Sequence, residues 1–226
     1  MELNADFSKR AVVHAAQIPW KASPMPGVDR RMLDRLGDEV ARATSIVRYA
    51  PGSAFSPHVH TGGEEFLVLD GIFQDEHGDF PPGTYVRNPP ETSHTPASAP
   101  GCTIFVKLWQ FDMADRTQLR IDTISGAFNP DPDRAGVEVM PLFKDDHEDV
   151  LLERWQPGAE LMLDAPGGME VLVLEGGFTE NSEDFSQHSW LRLPTDDTAT
   201  VKAGPDGTRV WIKRDHLRQP ASAPPA

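Results

Sequence analysis

The chain has 226 residues, enough to bury one large all-β core or two small ones. Its 35 acidic side chains outnumber 21 basic ones and leave a net charge of -14, which repels a phosphate backbone and argues against direct nucleic-acid binding. Cys102 is the only cysteine, no apolar run reaches a membrane span, and MELNADFSKR has no signal-peptide core, so a soluble cytoplasmic protein without disulfides is expected.

Proline and glycine punctuate the chain and leave apolar runs between them that suit strands better than helices. Near the start, the segment around IPW (18–20) is expected to add an edge strand that covers open backbone groups. RRMLDRLGDEVARATSIVRY (30–49) fits a helix loosely, but Gly37 breaks it and its second half is rich in β-branched residues, so two strands are predicted. FLVLDGIF (66–73), TIFVKLWQF (103–111), MEVLVLEGGF (169–178) and TRVWIK (208–213) are predicted strands. The tail QPASAPPA (219–226) has nothing to bury and is expected to be disordered.

The chain repeats itself. IPW (18–20) matches MPL (140–142), VRYAPG (47–52) matches ERWQPG (153–158), GGEEFLVLDGIF (62–73) matches GGMEVLVLEGGF (167–178), and TIFVK (103–107) matches TRVWIK (208–213). The order is the same in both copies, which predicts two copies of one β-rich unit. The larger offset at the start reads as an extra hairpin-sized segment of the first copy, around residues 25–42. FNPDPDRAG (128–136) is loop-like and marks the boundary. The domains are placed at 11–127 and 137–217.

HVHTGGEEFLVLDG (58–71) carries the chemistry. Residues two apart on a strand share a face, so His58 and His60 aim at one volume. After the turn at Thr61, Gly62 and Gly63, Glu64, Phe66 and Val68 share one face and Glu65, Leu67 and Leu69 the other. Downstream, PGTYVRNPPETSH (82–94) reads as strand, Pro-Pro turn and His94. Three histidines and a carboxylate would suit a borderline divalent ion such as zinc, iron, manganese or nickel. On spacing alone, a polar strand face exposed to water is about as good a reading. His14, His77, His147, His188 and His216 lack such companions and are expected at the surface or in loops.

These residues resemble the two cupin motifs. The first runs G, five residues, H-x-H, three or four residues, E, six residues, G, and Gly52, His58, His60, Glu64 and Gly71 satisfy each interval. Glu65 is a rival for Glu64, but only Glu64 leaves six residues before Gly71. In the second motif Gly83, Pro89 and His94 fit, while Glu91 stands at the glycine position and Ser98 at the asparagine position. The first half of the chain, through GCTIFVKLWQF (101–111), further resembles the cupin-like domain of ChrR-type anti-sigma factors and, more distantly, acetylacetone-cleaving dioxygenases. The resemblance implies a fold of two tandem jelly-roll barrels, all-β, with the first binding one divalent ion per chain through His58, His60, Glu64 and His94. Zinc is the first expectation. The ChrR family also implies a helical sigma-binding domain with His/Cys ligands, for which residues 1–25 are too short and a single cysteine insufficient.

In the second copy Met169 stands opposite Glu64 and Thr198 opposite His94, and no histidine occurs between 148 and 187. A metal-free second barrel is expected, with Asp164 as a loop carboxylate, packing on the first barrel or serving as a homodimer surface. Two functions stay open: a sensory or regulatory bicupin whose metal pocket answers to an oxidant or small molecule, and an iron-dependent dioxygenase with Phe66 and Val68 as apolar walls. Tyr85, Arg87 and Lys107 could line the pocket or simply sit on a strand surface.

Overall fold

The computed structural model describes residues 1–38, 40–219 and 223–224. Residues 220–222 and 225–226 of the tail expected to be disordered lie outside these. Among the described residues the chain is strands and turns, with one 3-10 turn at Ala15–Gln17. No helix is long and apolar enough to cross a membrane.

The chain divides into two compact units. Among the described residues the first holds 1–5, 18–126 and 223–224, the second 6–17 and 127–219. In the first unit an antiparallel sheet runs in the order Glu2–Leu3, Val28–Gly37, Ala41–Tyr49, Cys102–Leu108, Glu64–Gly71, Thr84–Asn88, Leu119–Asp122. A smaller sheet runs Gly78–Phe80, Phe73–Asp75, Ala97–Ser98, Ser53–Ala54, and a two-stranded patch pairs His58–Val59 with Ser93–His94. Val47, Phe66, Val68, Phe73, Phe80, Val86, Ile104 and Val106 fill the interior. Residues 30–49 do form two strands, paired as a hairpin.

The second unit repeats the central order: Val137–Lys144, Asp149–Trp155, Asp197–Arg214, Met169–Glu180, Ser189–Leu193. Val28 pairs with Tyr49 and Val137 with Trp155, so both units own the opening hairpin. The extra segment read from the sequence is therefore no insertion. MPL lies inside a strand, whereas Trp20 of IPW is in a loop, with the guanidinium groups of Arg31 and Arg48 4.3 and 4.5 Å from its ring centre. That pair of short strings matched by chance.

Two boundaries differ from the sequence reading. Ala11–His14 pairs with Ser189–Arg192 and forms an edge strand of the second unit, not of the first. An edge strand was expected near the N-terminus, but the strand-forming residues are AVVH rather than IPW. Asn129–Pro130 pairs with Glu138–Val139, and Arg134 bonds Asp131 and buried Glu153, so the loop-like 128–136 stretch belongs to the second unit.

Gly71 and Gly176 show how closely the halves correspond. Each has positive φ, at +69° and +68°, and a Cβ on either would lie 2.1 Å from the carbonyl oxygen of Gly101 or Gly207. Each lies two residues past the one skipped in the strand register, Leu69 or Leu174, and only glycine allows the close approach.

The halves also share a buried polar row on the sheet face away from the interior. Lys107, Glu65 and Arg87 are adjacent across three strands, and Lys213, Glu170 and Arg192 are adjacent in the same way. All six are buried. Tyr85 donates its hydroxyl to Glu65 at 2.5 Å, and at the matching place Trp190 donates its indole N–H to Glu170 at 3.1 Å. Arg87 stacks on Phe111 and pairs with Asp115, while Arg192 stacks on Phe7 and donates to the Asp6 carbonyl. Lys213 pairs with Glu148 at 2.6 Å with both side chains buried. Removing one member of such a pair strands a desolvated charge, so Lys213→Ala is expected to cost about 3–5 kcal/mol. Urea denaturation checks this, with a loss under about 1 kcal/mol contradicting it.

Candidate metal centre

Two turns carry the histidines. His58 lies on the two-residue strand that pairs with His94, and Val59 between the two ligand candidates points outward. His60 N–H donates to the Thr92 carbonyl at 2.8 Å, and the His60 carbonyl accepts from Glu91 N–H at 3.0 Å, so the two turns are stitched together by their backbones. Gly62 and Gly63 then lie directly beneath two aromatic rings. A Cβ on Gly62 would be 2.0 Å from Trp109 and one on Gly63 2.4 Å from Phe111. The paired glycines exist because these rings press on the turn. Glu64 opens the next strand, opposite Asn88 on one side and Leu108 on the other.

The side chains converge. Ligand atoms of His58, His60 and His94 all lie within 4.8 Å of one another. His60 Nε2 and His94 Nε2 are 3.2 Å apart, and Glu64 Oε2 is 3.4 Å from the first and 3.6 Å from the second. Glu64 Oε2 is buried and makes no hydrogen bond within the protein. A buried carboxylate oxygen without a hydrogen-bond partner, aimed at two imidazole nitrogens that have only each other, is the arrangement a cation completes. The donor set of nitrogen and oxygen fits a borderline divalent ion. His60, His94 and Glu64 are buried, while His58 is exposed.

Burial also sets the proton affinities. Desolvation first, then the neighbouring His94 and His58, hold the His60 imidazole down to about 3. Burial and then His58 lower His94 as well, against an opposing pull from Asp75. Both rings are therefore neutral, the form that binds metal. Burial pushes the Glu64 carboxyl up to about 7, opposed by a hydrogen bond from Asn88 and reinforced by the charge of Asp75.

Several supporting residues went unrecognised in the sequence. Thr92 Oγ1 stands 3.2 Å from His60 Nδ1 and donates its own proton to the Pro89 carbonyl at 2.7 Å. It therefore accepts from Nδ1–H and leaves Nε2 free to face the centre. Asn88, which supports Glu64, accepts from Gln118 at 3.0 Å. Asp75 Oδ2 is 3.4 Å from His94 Nδ1. The Gly62-Gly63 pair was the one sequence signal that bulky groups pack here.

Phe66 and Val68 share the interior with Glu64, as predicted. Tyr85, Arg87 and Lys107 do not line this pocket. Their register places them beside Glu65 and Leu67, on the opposite face of the sheet. They belong to the buried polar row, which the second unit keeps after losing its histidines. Glu65, engaged by Tyr85, is accordingly no rival to Glu64. His77 and His147 are exposed, and His14 and His188 half-buried. His216 departs from expectation: it is buried against Glu170, with Nε2 2.8 Å from Oε1. In the second unit Met169 and Leu193 bury apolar side chains, while Asp164 and Thr198 pair on adjacent strands and face solvent. Asp164 is a strand residue rather than a loop one.

The two departures from the second motif are both accommodated. Ser98 is buried and donates to the Ile72 carbonyl at 2.6 Å. Glu91 adopts φ of 75°, the conformation a glycine would supply. Both Glu91→Gly and Glu91→Ala lose the exposed pair with Arg116, so comparing them isolates the backbone. The glycine variant is expected to be the more stable by about 1 kcal/mol, the reverse of the usual order outside glycine-favouring positions. Thermal or chemical denaturation of the two variants checks it.

Residues 8–112 match the family model of the ChrR cupin-like domain. No curated protein matches the chain. Among solved structures, a candidate dioxygenase of Nostoc punctiforme superposes with a TM-score of 0.76 at 15% identity, covering 97% of this chain and 87% of that one. A pirin of Escherichia coli in complex with nickel(II) gives a TM-score of 0.63 at 15% identity, over 91% of this chain and 99% of that one. The oxalate decarboxylase–formate complex of Lactobacillus farciminis gives 0.65 at 10% identity, over 94% and 87%. At such identities the likeness is one of fold. The first half of the chain is thus similar to the ChrR cupin-like domain over residues 8–112, and the chain as a whole shares the jelly-roll fold of these cupin structures.

Proposed function

We propose that the first barrel is a mononuclear metal centre held by His58, His60, Glu64 and His94, and that the protein is a sensory or regulatory cupin. The second barrel supplies stability and contact surface, including that of a homodimer. The observation that carries the reading is the graded burial of the four donors. Three are sealed in the barrel and His58 alone meets solvent. A small molecule or oxidant arriving from outside reaches the centre on the His58 side. A bound divalent ion would supply a Lewis-acidic site for such a ligand.

The protein's own groups do the rest. Thr92 holds the His60 ring in the tautomer that presents Nε2. Asn88 orients Glu64. Phe66, Val68 and Phe73 exclude water from the inner side. Zinc suits a four-donor set that closes a tetrahedron, whereas iron, manganese or nickel would keep further positions open. A cytoplasmic location accords with a single, buried cysteine.

A dioxygenase acting on a small β-diketone-like or acidic substrate is the second reading. It is favoured by the apolar floor beside an open-sided donor set, and by the Nostoc relative in fold. The two readings part in one experiment. A sensor holds zinc and consumes no oxygen with β-diketones. A dioxygenase reconstituted with iron(II) shows substrate-dependent oxygen uptake that the zinc form lacks. The shared premise is tested by His60→Ala combined with His94→Ala, which is expected to abolish metal content measured on protein purified without chelator. Retention of a full equivalent would exclude this donor set.

Glu64 gives a pH signature in metal-free protein. Its carboxyl titrates near 7 in the fold against an ordinary 4.5, so the neutral form stabilises the fold. That contribution is whole below pH 4.5 and is lost as pH rises through 7. Glu64→Gln removes the penalty of burying the charge. In chelator, the variant's Tm is expected to exceed that of wild type at pH 8 and to approach it at pH 5. His60, held low, works the other way, losing stability as pH falls from 6.5 toward 3. Saturating metal should erase the advantage of the variant at pH 8.

A further inference from the structure

The turn between the two motifs, QDEHGDF (74–80), is absorbed by neither. It forms a tight hairpin in which Phe73–Asp75 pairs with Gly78–Phe80. The hairpin reaches the His94 turn twice. Glu76 Oε2 accepts from Thr95 N–H at 2.8 Å, and Asp75 Oδ2 lies 3.4 Å from His94 Nδ1, with the Asp75 and His94 side chains 4% and 3% exposed. The other Asp75 oxygen is already committed, since Oδ1 accepts from His77 N–H at 2.7 Å. The carboxylate is thus pinned by its own hairpin, with its second oxygen 3.4 Å from a buried His94 Nδ1 that makes no hydrogen bond, close enough for a small turn of the ring to complete one.

Resting on the reading of His94 as a metal ligand, we propose that Asp75 is a positioning residue that fixes the His94 tautomer. A carboxylate only accepts, so it draws the imidazole proton to Nδ1 and leaves the Nε2 lone pair facing His60 and Glu64. Thr92 does the same for His60 with a hydroxyl. The two buried rings are therefore set by different partners, and only that of His94 is charged. Asp75 also adds a second buried negative charge beside Glu64, which favours a cation in the space between the rings.

Asp75→Asn tests this with nearly the same shape. The His77 N–H still requires an oxygen, so the new amide must turn its carbonyl that way and present its NH2 to His94. The ring then accepts at Nδ1 and carries its proton on Nε2, pointing into the centre. Two measurements follow on full-length protein. In metal-free protein, nitrogen-15 NMR of the His94 ring should report Nδ1–H in wild type and Nε2–H in the variant. Competition with a chromophoric chelator should show zinc(II) bound about 10–100-fold more weakly by the variant. Asp79→Asn removes a charge from the same hairpin where the exposed carboxylate accepts from Gln74, and should leave zinc affinity unchanged. A His94 ring that keeps Nδ1–H in Asp75→Asn, or an unchanged zinc affinity, overturns the proposal. Wild type that binds no zinc or other divalent ion would instead sink the ligand assignment, and the tautomer measurement still decides the role of Asp75.

Discussion

The alternation of Glu64 and Glu65 across a single strand is the constraint on which the first barrel depends. Two carboxylates stand side by side in sequence and point to opposite faces of one sheet. Glu64 turns inward to the histidines. Glu65 turns outward to Tyr85, between Lys107 and Arg87. A slip of one residue would exchange them, turning Phe66 and Val68 out of the interior and setting the inward carboxylate about 3.3 Å along the strand from the place Glu64 holds. The outer row opposes that slip, because its charges lie in fixed cross-strand order and are buried. Buried polar groups of this kind add little net stability but specify register strongly. The chemistry on one face is thereby held in place by electrostatics on the other.

The second barrel separates the two roles. It keeps Lys213, Glu170 and Arg192 in the same order and keeps an aromatic donor, Trp190, where the first barrel has Tyr85. It has no counterpart of the histidines, and Met169 fills the place of Glu64 with apolar volume. A barrel can therefore dispense with the inner site while keeping the outer row. Tyr85, Arg87 and Lys107 are residues of the fold, despite having the chemical character of a pocket.

Much of this was legible in the sequence because it depends on local spacing. The repeat, the strand pair at 30–49 and the convergence of His58, His60, Glu64 and His94 follow from period-two geometry and a motif with fixed intervals. What escaped was non-local. Trp109 and Phe111 meet Gly62 and Gly63 only after a long excursion of the chain, and Asp75 meets His94 across a hairpin. The polar side chains assigned to the pocket had the right chemistry and the wrong parity. The first barrel's start was misplaced because AVVH pairs with a strand nearly 180 residues away, at Ser189–Arg192, a partner that no local pattern announces.

The strands that carry His58 and His94 are two residues long and pair only with each other, whereas the second barrel spans the matching region with a six-residue strand, Glu160–Ala165, paired along its whole length. Few backbone hydrogen bonds hold the first patch, so its opening free energy lies far below that of the whole domain. Exchange of its amide hydrogens is then expected through local opening while the large sheet beside it stays shut. An ion bound by these histidines would have a route in and out that leaves the barrel folded, and its loading time would follow the breathing of a four-residue patch.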